Sequence, residues 1–201
     1  MLCRLRLALM ALVCLLPSVA GAQTTPGPVG PYVLDIRGAM TGLPSAGEFY
    51  PSLTSATNIP TRAFGLDAGA FIYPRDLWRA RLGIGADLLM TRGKVGPPDV
   101  TGRVTAVVPQ VSLNFGTADG WSHVSAGYGV GAVTTDVPDT ANATVDSGRV
   151  GTFSAGGGAR WFTSPRMAVG FDIRLLRLGA SGTANTPAVS SLLLTVGLSL
   201  R

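Results

Sequence analysis

The chain of 201 residues is poor in several residue types that carry chemistry in other proteins. Its two cysteines, Cys3 and Cys14, both fall within the first 22 residues. The rest of the chain therefore has none for a disulfide, a thiolate metal site or a cysteine nucleophile. His123 is the only histidine, which excludes a metal site built from several histidines.

Charge is scarce as well, since charged residues make up only 13% of the chain. Lys94 is the single lysine and Glu48 the single glutamate, so nearly all of the charge is on arginine and aspartate. Soluble domains cover their surfaces largely with lysine and glutamate, and this composition is not typical of a water-facing surface. The basic residues form no cluster along the sequence, and we expect no nucleic-acid partner.

Residues 1–22 have the features of a secretory signal peptide. Arg4 and Arg6 give a basic start, residues 7–16 form a short apolar core, and Ala20-Gly21-Ala22 is a small-residue cleavage site. The apolar core is shorter than the roughly 20 residues that a membrane-spanning helix needs. No second run of that length follows, which argues against a helical membrane protein. Without the signal the chain keeps 14 basic and 11 acidic residues, a net charge of +3.

The segment 121–134 shows the residue pattern of a long β-strand. Successive side chains of a strand point to opposite faces, so a period of two residues indicates this structure. One face of the segment is apolar, and the other consists mostly of glycine and serine. The apolar face consists of Val124, Ala126, Tyr128, Val130 and Ala132, and the other face of Ser125, Gly127, Gly129 and Gly131.

The same alternation recurs along the chain and predicts eight strands. Their connections alternate between long and short, which is typical of outer-membrane barrels. A closed barrel also satisfies every backbone hydrogen bond in lipid. After a Pro/Gly-rich leader at 23–31, the sequence thus predicts an all-β fold over 32–201, an eight-stranded antiparallel up-and-down transmembrane β-barrel. The predicted strands are 32–41, 61–73, 78–91, 101–115, 121–134, 149–162, 166–178 and 188–200.

Aromatic residues concentrate next to the three predicted short turns. Amphipathic rings favour the boundary between membrane and water, so this placement predicts an aromatic belt at the periplasmic interface. The members of the predicted belt are Tyr32, Tyr73, Trp78, Phe115, Trp121, Trp161 and Phe162.

Charged residues occupy the opposite, inward-facing positions of several strands. An eight-stranded barrel is just wide enough for its side chains to fill it, and buried charges must be paired. We therefore expect a salt-bridged plug in the lumen; a narrow polar pore is the alternative, because the many inward glycines leave room. The predicted lumen charges are Asp35, Arg37, Asp67, Arg81, Asp87, Arg160, Asp172 and Arg174.

Other chemistry in the sequence is weak. His123 and Ser125 share a strand face, an arrangement that a base and a nucleophile can use. The pair is similar to the His-x-Ser of outer-membrane lipid A deacylases, but Ala126 stands where that motif has an Asn, and the pair lies near a predicted short turn. We therefore expect His123 to be an interfacial polar residue. Gly127-x-Gly129-x-Gly131 precedes no helix and is not a dinucleotide-binding motif. We expect no catalytic residues, no metal and no cofactor.

The eight-stranded pattern resembles the small outer-membrane barrels of the outer-membrane protein A and X type. The alternating last strand, 192–200, is similar to the C-terminal assembly signal of that class, although it ends in Leu200-Arg201 and not in an aromatic residue. The resemblance implies residence in the bacterial outer membrane and contact with its lipids and lipopolysaccharide. It also implies recognition of the last strand by the assembly machinery. We expect no peptidoglycan-binding domain.

Three functions remain open on the sequence. The first is a non-enzymatic barrel with a structural role or a role in surface interaction, through loops whose ligands the sequence does not identify. The second is a narrow channel for ions or small solutes. The third is a secreted, soluble ligand-binding barrel, which would need apolar residues inside and charged ones outside.

The predicted faces of 121–134 also imply the effects of two substitutions. Val130→Arg would place a charge in lipid and should cost roughly 2–4 kcal/mol at the membrane midplane. Gly129→Ser, on the opposite face, should be milder.

Overall fold

A computed structural model describes residues 32–44, 49, 58–77, 80–97, 99–117, 120–138 and 143–201. The predicted signal peptide at 1–22 and the leader at 23–31 lie outside these residues, as does most of the first long loop. Within the described ranges, no helix is long and apolar enough to cross a membrane.

The described chain consists of antiparallel strands that pair with their neighbours in sequence order. β4 pairs with β5, and β9 pairs back onto β1, so eight of the strands close into a barrel. Among the described strands, the short β6 pairs only with β5. Together they form a two-stranded ribbon that lies beyond the barrel wall. The strands are β1 (Tyr32–Gly42), β2 (Arg62–Leu77), β3 (Ala80–Val95), β4 (Val100–Thr117), β5 (Gly120–Val137), β6 (Ala143–Asp146), β7 (Val150–Phe162), β8 (Met167–Leu178) and β9 (Val189–Leu200).

The barrel has two different ends. β2–β3, β4–β5 and β7–β8 are joined by short connections at one end, here called the short-turn end. The other connections lie at the opposite, long-loop end; most are longer, but the β3–β4 connection has four residues, as the β7–β8 connection does. Burial alternates residue by residue along the barrel strands, so one set of side chains fills the interior and the other forms an apolar outer surface. Exposed members of that surface include Ile36, Leu66, Met90, Val107, Tyr128, Ile173, Leu192 and Val196.

The predicted eight-stranded antiparallel barrel is confirmed, with local differences in three strands. β3 continues to Val95, past its predicted end at 91, so that the connection to β4 shortens to residues 96–99. β2 continues past Pro74 to Leu77, because a register shift between Ile72 and Arg75 accommodates the proline within the strand. β5 runs on to Val137, and its pairing with β6 forms a ribbon where the sequence predicted a polar loop.

The seam between β4 and β5 contains an interruption at Pro109. Val107 pairs with Val130 and Gln110 with Gly127, but no pair joins the residues between them. The register is the same on both sides of this gap. A proline lacks the N–H that the ladder requires, and here the ladder is interrupted without a bulge.

Two glycines of β5 allow the backbone of β4 to approach closely at this seam. A Cβ atom on Gly127 would overlap the Pro109 carbonyl oxygen, and one on Gly129 would overlap the Val107 carbonyl oxygen. A side chain at Gly129 would therefore carry a cost, because it meets backbone atoms that cannot rotate away. That Gly129→Ser is milder than Val130→Arg stays a prediction.

The interior of the barrel is layered. An apolar cluster that includes Leu89, Val104 and Leu176 fills the long-loop half, and a smaller one with Phe71 and Trp121 fills the short-turn end. Buried charged side chains lie inside the barrel as well. Apolar side chains thus separate these charges from both mouths of the barrel.

Candidate functional site: a buried charge network in the barrel lumen

Inward-facing charged side chains from six strands meet in the lumen. Their positions on the strands all have the inward parity, so barrel closure directs them toward one another. The set is here called the lumen network, and it consists of Asp35 and Arg37 on β1, Asp67 on β2, Asp87 on β3, His123 on β5, Arg160 on β7, and Asp172 and Arg174 on β8.

Arg37 contacts three carboxylates of the network. Its Nη2 lies 2.5 Å from Oδ2 of Asp35, and its Nη1 lies 3.6 Å from Oδ2 of Asp67. The same guanidinium pairs with Asp172, across β9. All of these side chains are at most 3% exposed, so each charge depends on its protein partners for neutralisation.

Arg160 connects β7 to β1 through Asp35. Its Nη2 donates to Oδ2 of Asp35 over 2.6 Å, and its Nε lies 3.2 Å from the Ser199 hydroxyl. Ser199 in turn donates to Oδ1 of Asp35 at 2.5 Å. The Asp35 carboxylate thus receives donors at both oxygens.

Arg174 connects β8 to the far side of the barrel. Its Nη1 donates to Oδ2 of Asp87 over 2.6 Å, and its Nη2 donates to Asp67. Gln110 on β4 also donates to Oδ2 of Asp87, at 2.5 Å. The two Arg174 bonds cross the lumen between strands that share no ladder, whereas Gln110 and Asp87 lie on the neighbouring strands β4 and β3.

His123 belongs to the network, although the sequence predicted it to be an interfacial residue. Its Nε2 lies 2.5 Å from Oδ1 of Asp172, and its Nδ1 lies 3.3 Å from Nη1 of Arg160. A guanidinium only donates, so Nδ1 accepts and Nε2 carries the proton that is donated to Asp172. This arrangement corresponds to a neutral imidazole. His123 and Ser125 are two residues apart and share a strand face. This alternation in the sequence already indicates that His123 points inward.

Glycines lie beside the charged residues in register and leave room for their side chains. Gly158 lies between His123 and Asp172 in the ladders of β5, β7 and β8. A Cβ atom there would come 2.5 Å from Oδ1 of Asp172, and one on Gly69 would overlap the Asp87 carboxylate. The inward glycines thus accommodate the network, and a small cavity of about 10 Å³ lies among its described members. That volume corresponds to about one water molecule.

Arg81 does not join the lumen network, which corrects the sequence prediction. It lies six residues along β3 from Asp87, which corresponds to about 20 Å of extended chain. At that distance it reaches the rim of the short-turn end, where β2 places Asp76 directly opposite. The Arg81 Nε donates to Oδ1 of Asp76 over 2.5 Å, and the pair is open to solvent. The described network therefore has four carboxylates and three guanidiniums.

Known structures share this architecture. Neisserial surface protein A (NspA) superposes with a TM-score of 0.59 at 13% identity, over 86% of this chain and 97% of that chain. Ail, the attachment invasion locus protein of Yersinia pestis, gives a TM-score of 0.50 at 10% identity, over 84% of this chain and 97% of that chain. Ail has the same scores in its complex with the heparin analogue sucrose octasulfate. No family model and no curated protein sequence matches the chain.

The fold is that of the small outer-membrane barrels. In a barrel of this type, a belt residue must project outward near the end of a strand. Tyr32, Phe115 and Trp161 do so at the short-turn end, and Trp161 is 53% exposed. Their role as an interfacial belt remains a prediction. Trp78 lies outside the described residues.

Three other residues predicted for the belt lie inside the barrel, so the prediction is wrong for them. Tyr73 and Trp121 are only 7% and 5% exposed, and their ring centroids are 5.2 Å apart. Phe162 packs edge-on against Trp121 at 5.4 Å. The physical reason is strand parity, since Trp121 shares the inward face of β5 with His123. These rings close the short-turn end of the lumen.

Proposed function

We propose that this protein is an integral β-barrel of the bacterial outer membrane, exported by its signal peptide, with a structural or surface-interaction role and no enzymatic activity. The observation that carries the proposal is the distribution of polarity. Large apolar side chains such as Tyr128 and Val196, each 69% exposed, face outward, while paired charges lie inside. A soluble ligand-binding barrel has the reverse arrangement.

The closed lumen supports a role other than conduction. Ion pairs bridge the lumen between strands that are not neighbours, and apolar clusters lie toward both of its ends. An ion on this path would have to break buried pairs and cross apolar constrictions, which resist wetting. A permanently open channel is therefore disfavoured.

The long-loop end is the part of the barrel suited to contacts at the cell surface. In outer-membrane barrels the longer loops face outward and the short turns face the periplasm. Here the ribbon of β5 and β6 extends from that end. NspA is a surface protein by name and Ail an attachment protein, and a comparable surface role for this chain is part of the proposal.

The outer surface and the last strand define the partners that we propose. Membrane lipids and lipopolysaccharide would cover the apolar outer surface. The assembly machinery would engage β9, whose pairing with β1 completes the barrel. No ligand of the loops is proposed.

Extraction and gel mobility together test the proposal. We expect the protein in the membrane fraction, soluble only after detergent is added, with a folded band that shifts when the sample is boiled. A well-packed closed barrel resists dodecyl sulfate until it is heated, which is the reason for the shift. Recovery in the soluble periplasmic fraction without detergent would contradict the proposal.

A further inference from the structure

A basic cluster lies on the outer surface of β2, β3 and β4 at the long-loop end. Arg92 and Arg103 are directly opposite each other in the pairing of β3 with β4. Lys94 lies two residues beyond Arg92 on the same face, and Arg62 lies two residues before Phe64, the residue opposite Arg92. These four side chains, Arg62, Arg92, Lys94 and Arg103, are here called the outer basic cluster, and all are exposed.

The carboxylates among the described residues neutralise only part of this cluster. Lys94 Nζ lies 2.7 Å from Oδ2 of Asp99, and Arg103 Nη2 lies 3.3 Å from Oδ2 of Asp136. No described carboxylate pairs with Arg62 or Arg92. Like charges that face each other directly across a ladder are destabilising, and a bound anion would relieve their repulsion.

The direction of the side chains indicates where the anion comes from. Arg92 has the same outward parity as Met90 and Leu88, and Arg62 has that of Phe64 and Leu66. The cluster thus borders the apolar outer surface and points sideways, away from the barrel axis. A soluble polyanion would approach from the loops, whereas the headgroup of a neighbouring lipid lies beside the barrel wall at this height.

We propose that the outer basic cluster binds the phosphate groups of a phosphorylated glycolipid in the outer leaflet. Arg92 and Arg103 donate together to one phosphate, because guanidinium groups form paired, charge-assisted hydrogen bonds with phosphate oxygens. Arg62 and Lys94 supply further positive charge beside it. The inference rests on the proposed function, since only an embedded barrel brings these side chains to the lipid headgroups.

Lipid binding by purified barrels in neutral detergent tests the site. The probes are diphosphorylated lipid A, the same lipid after removal of its phosphates, and inorganic pyrophosphate as a free anion. The Arg92→Gln/Arg103→Gln double variant should bind diphosphorylated lipid A about tenfold more weakly or worse, because it loses charge-assisted hydrogen bonds. Wild-type protein should prefer this lipid to both other probes.

Arg177→Gln is the matched control. Arg177 also faces outward near the long-loop end of β8, but it lies opposite Phe153 and Ser190 and not opposite a basic residue. Its variant should keep the wild-type affinity for lipid A. In the absence of lipid A, the double variant should unfold at the same temperature as wild type or higher, since a repulsion has been removed.

Three results would overturn the inference. They are unchanged lipid A binding by a folded double variant, an equal loss in Arg177→Gln, and equal wild-type affinity for the dephosphorylated lipid or for pyrophosphate. A barrel that inserts into phosphatidylcholine vesicles and shows any of these results would still support the proposed function. A protein that stays soluble without detergent would instead contradict the proposed function itself.

Discussion

At the scale of single residues, Arg37 pairs with more carboxylates than any other cation of the described lumen. It pairs with Asp35, Asp67 and Asp172, which belong to three different strands. Ion pairs of this kind add little net stability compared with a well-packed apolar core, but losing one partner leaves the others charged and buried. The change in stability caused by a substitution therefore depends on which buried charges lose their partner.

We expect Arg37→Met to destabilise the barrel by about 3–5 kcal/mol, because it leaves buried carboxylates without their partner. Urea unfolding in lipid vesicles, followed by tryptophan fluorescence, measures this change. Arg81→Met is the control, since its pair with Asp76 is open to solvent and its loss should have a much smaller effect. Equal effects of the two substitutions would show that the lumen network does not stabilise the barrel.

His123 allows a second test at this scale, because it is the only histidine of the chain. Its contacts with Asp172 and Arg160 require a neutral ring with the proton on Nε2. Nitrogen NMR of ¹⁵N-histidine-labelled barrel at neutral pH should therefore show one protonated and one unprotonated ring nitrogen. Two protonated nitrogens would contradict the hydrogen bond that Nδ1 accepts from Arg160.

At the scale of the strands, the seam between β4 and β5 shows how a few residues determine the contact between two strands. Pro109 interrupts the ladder, and Gly127 and Gly129 let the β4 carbonyls come close on either side. The register is unchanged across the interruption. The small residues of β5 are thus part of the seam and do not simply line an empty lumen.

Gly129→Ala should cost roughly 1–3 kcal/mol, as overpacking typically does, because its Cβ would overlap the Val107 carbonyl. Gly182→Ala is the control, since a Cβ atom there meets no neighbour within 4 Å. Urea midpoints of the two variants in the same vesicles make the comparison. A neutral Gly129→Ala would mean that β4 and β5 separate easily at this seam.

Val130→Arg tests the outward direction of β5. Val130 is 50% exposed on the apolar outer surface, and an arginine there should cost roughly 2–4 kcal/mol at the membrane midplane. Val130→Leu keeps the apolar character and should be close to neutral. If the arginine variant unfolded at the wild-type urea concentration, this position would not face lipid.

At the scale of the whole molecule, the layered interior predicts that the barrel does not conduct ions. Purified barrel in a planar bilayer should show no stepwise conductance, because bridging ion pairs and apolar clusters occupy the lumen. A general porin added afterwards to the same bilayer is the positive control. Reproducible single-channel steps from the purified protein alone would support the channel that the sequence left open.

The sequence predicted the strands and their faces well because alternation is a local property. It placed Arg37 and Asp172 on inward faces, where the structure has both buried. It did not give their pairing, since contact across the lumen depends on how all of the strands are staggered. Trp121 and Tyr73 were assigned to a belt because aromatic residues favour interfaces. Their inward parity was the better guide, as it also was for His123.

Position along a strand accounts for the other correction. Arg81 has the same parity as Asp87, and the sequence therefore placed both in one network. Parity gives the direction of a side chain but not its height, and six residues of extended chain separate the two. The height of each residue becomes known only when the register with neighbouring strands is known.

The lumen network also has a consequence for the order of events in folding. Several of its pairs join β1 to β7 and β8, and β3 to β8, all of which are strands without a shared ladder. An open sheet cannot form these pairs, because the partners meet only after β9 has joined β1. Intermediates would carry unneutralised charges on the concave face, which lipid disfavours strongly. Closure of the barrel and neutralisation of its interior are therefore one cooperative step, and partly inserted sheets should not accumulate.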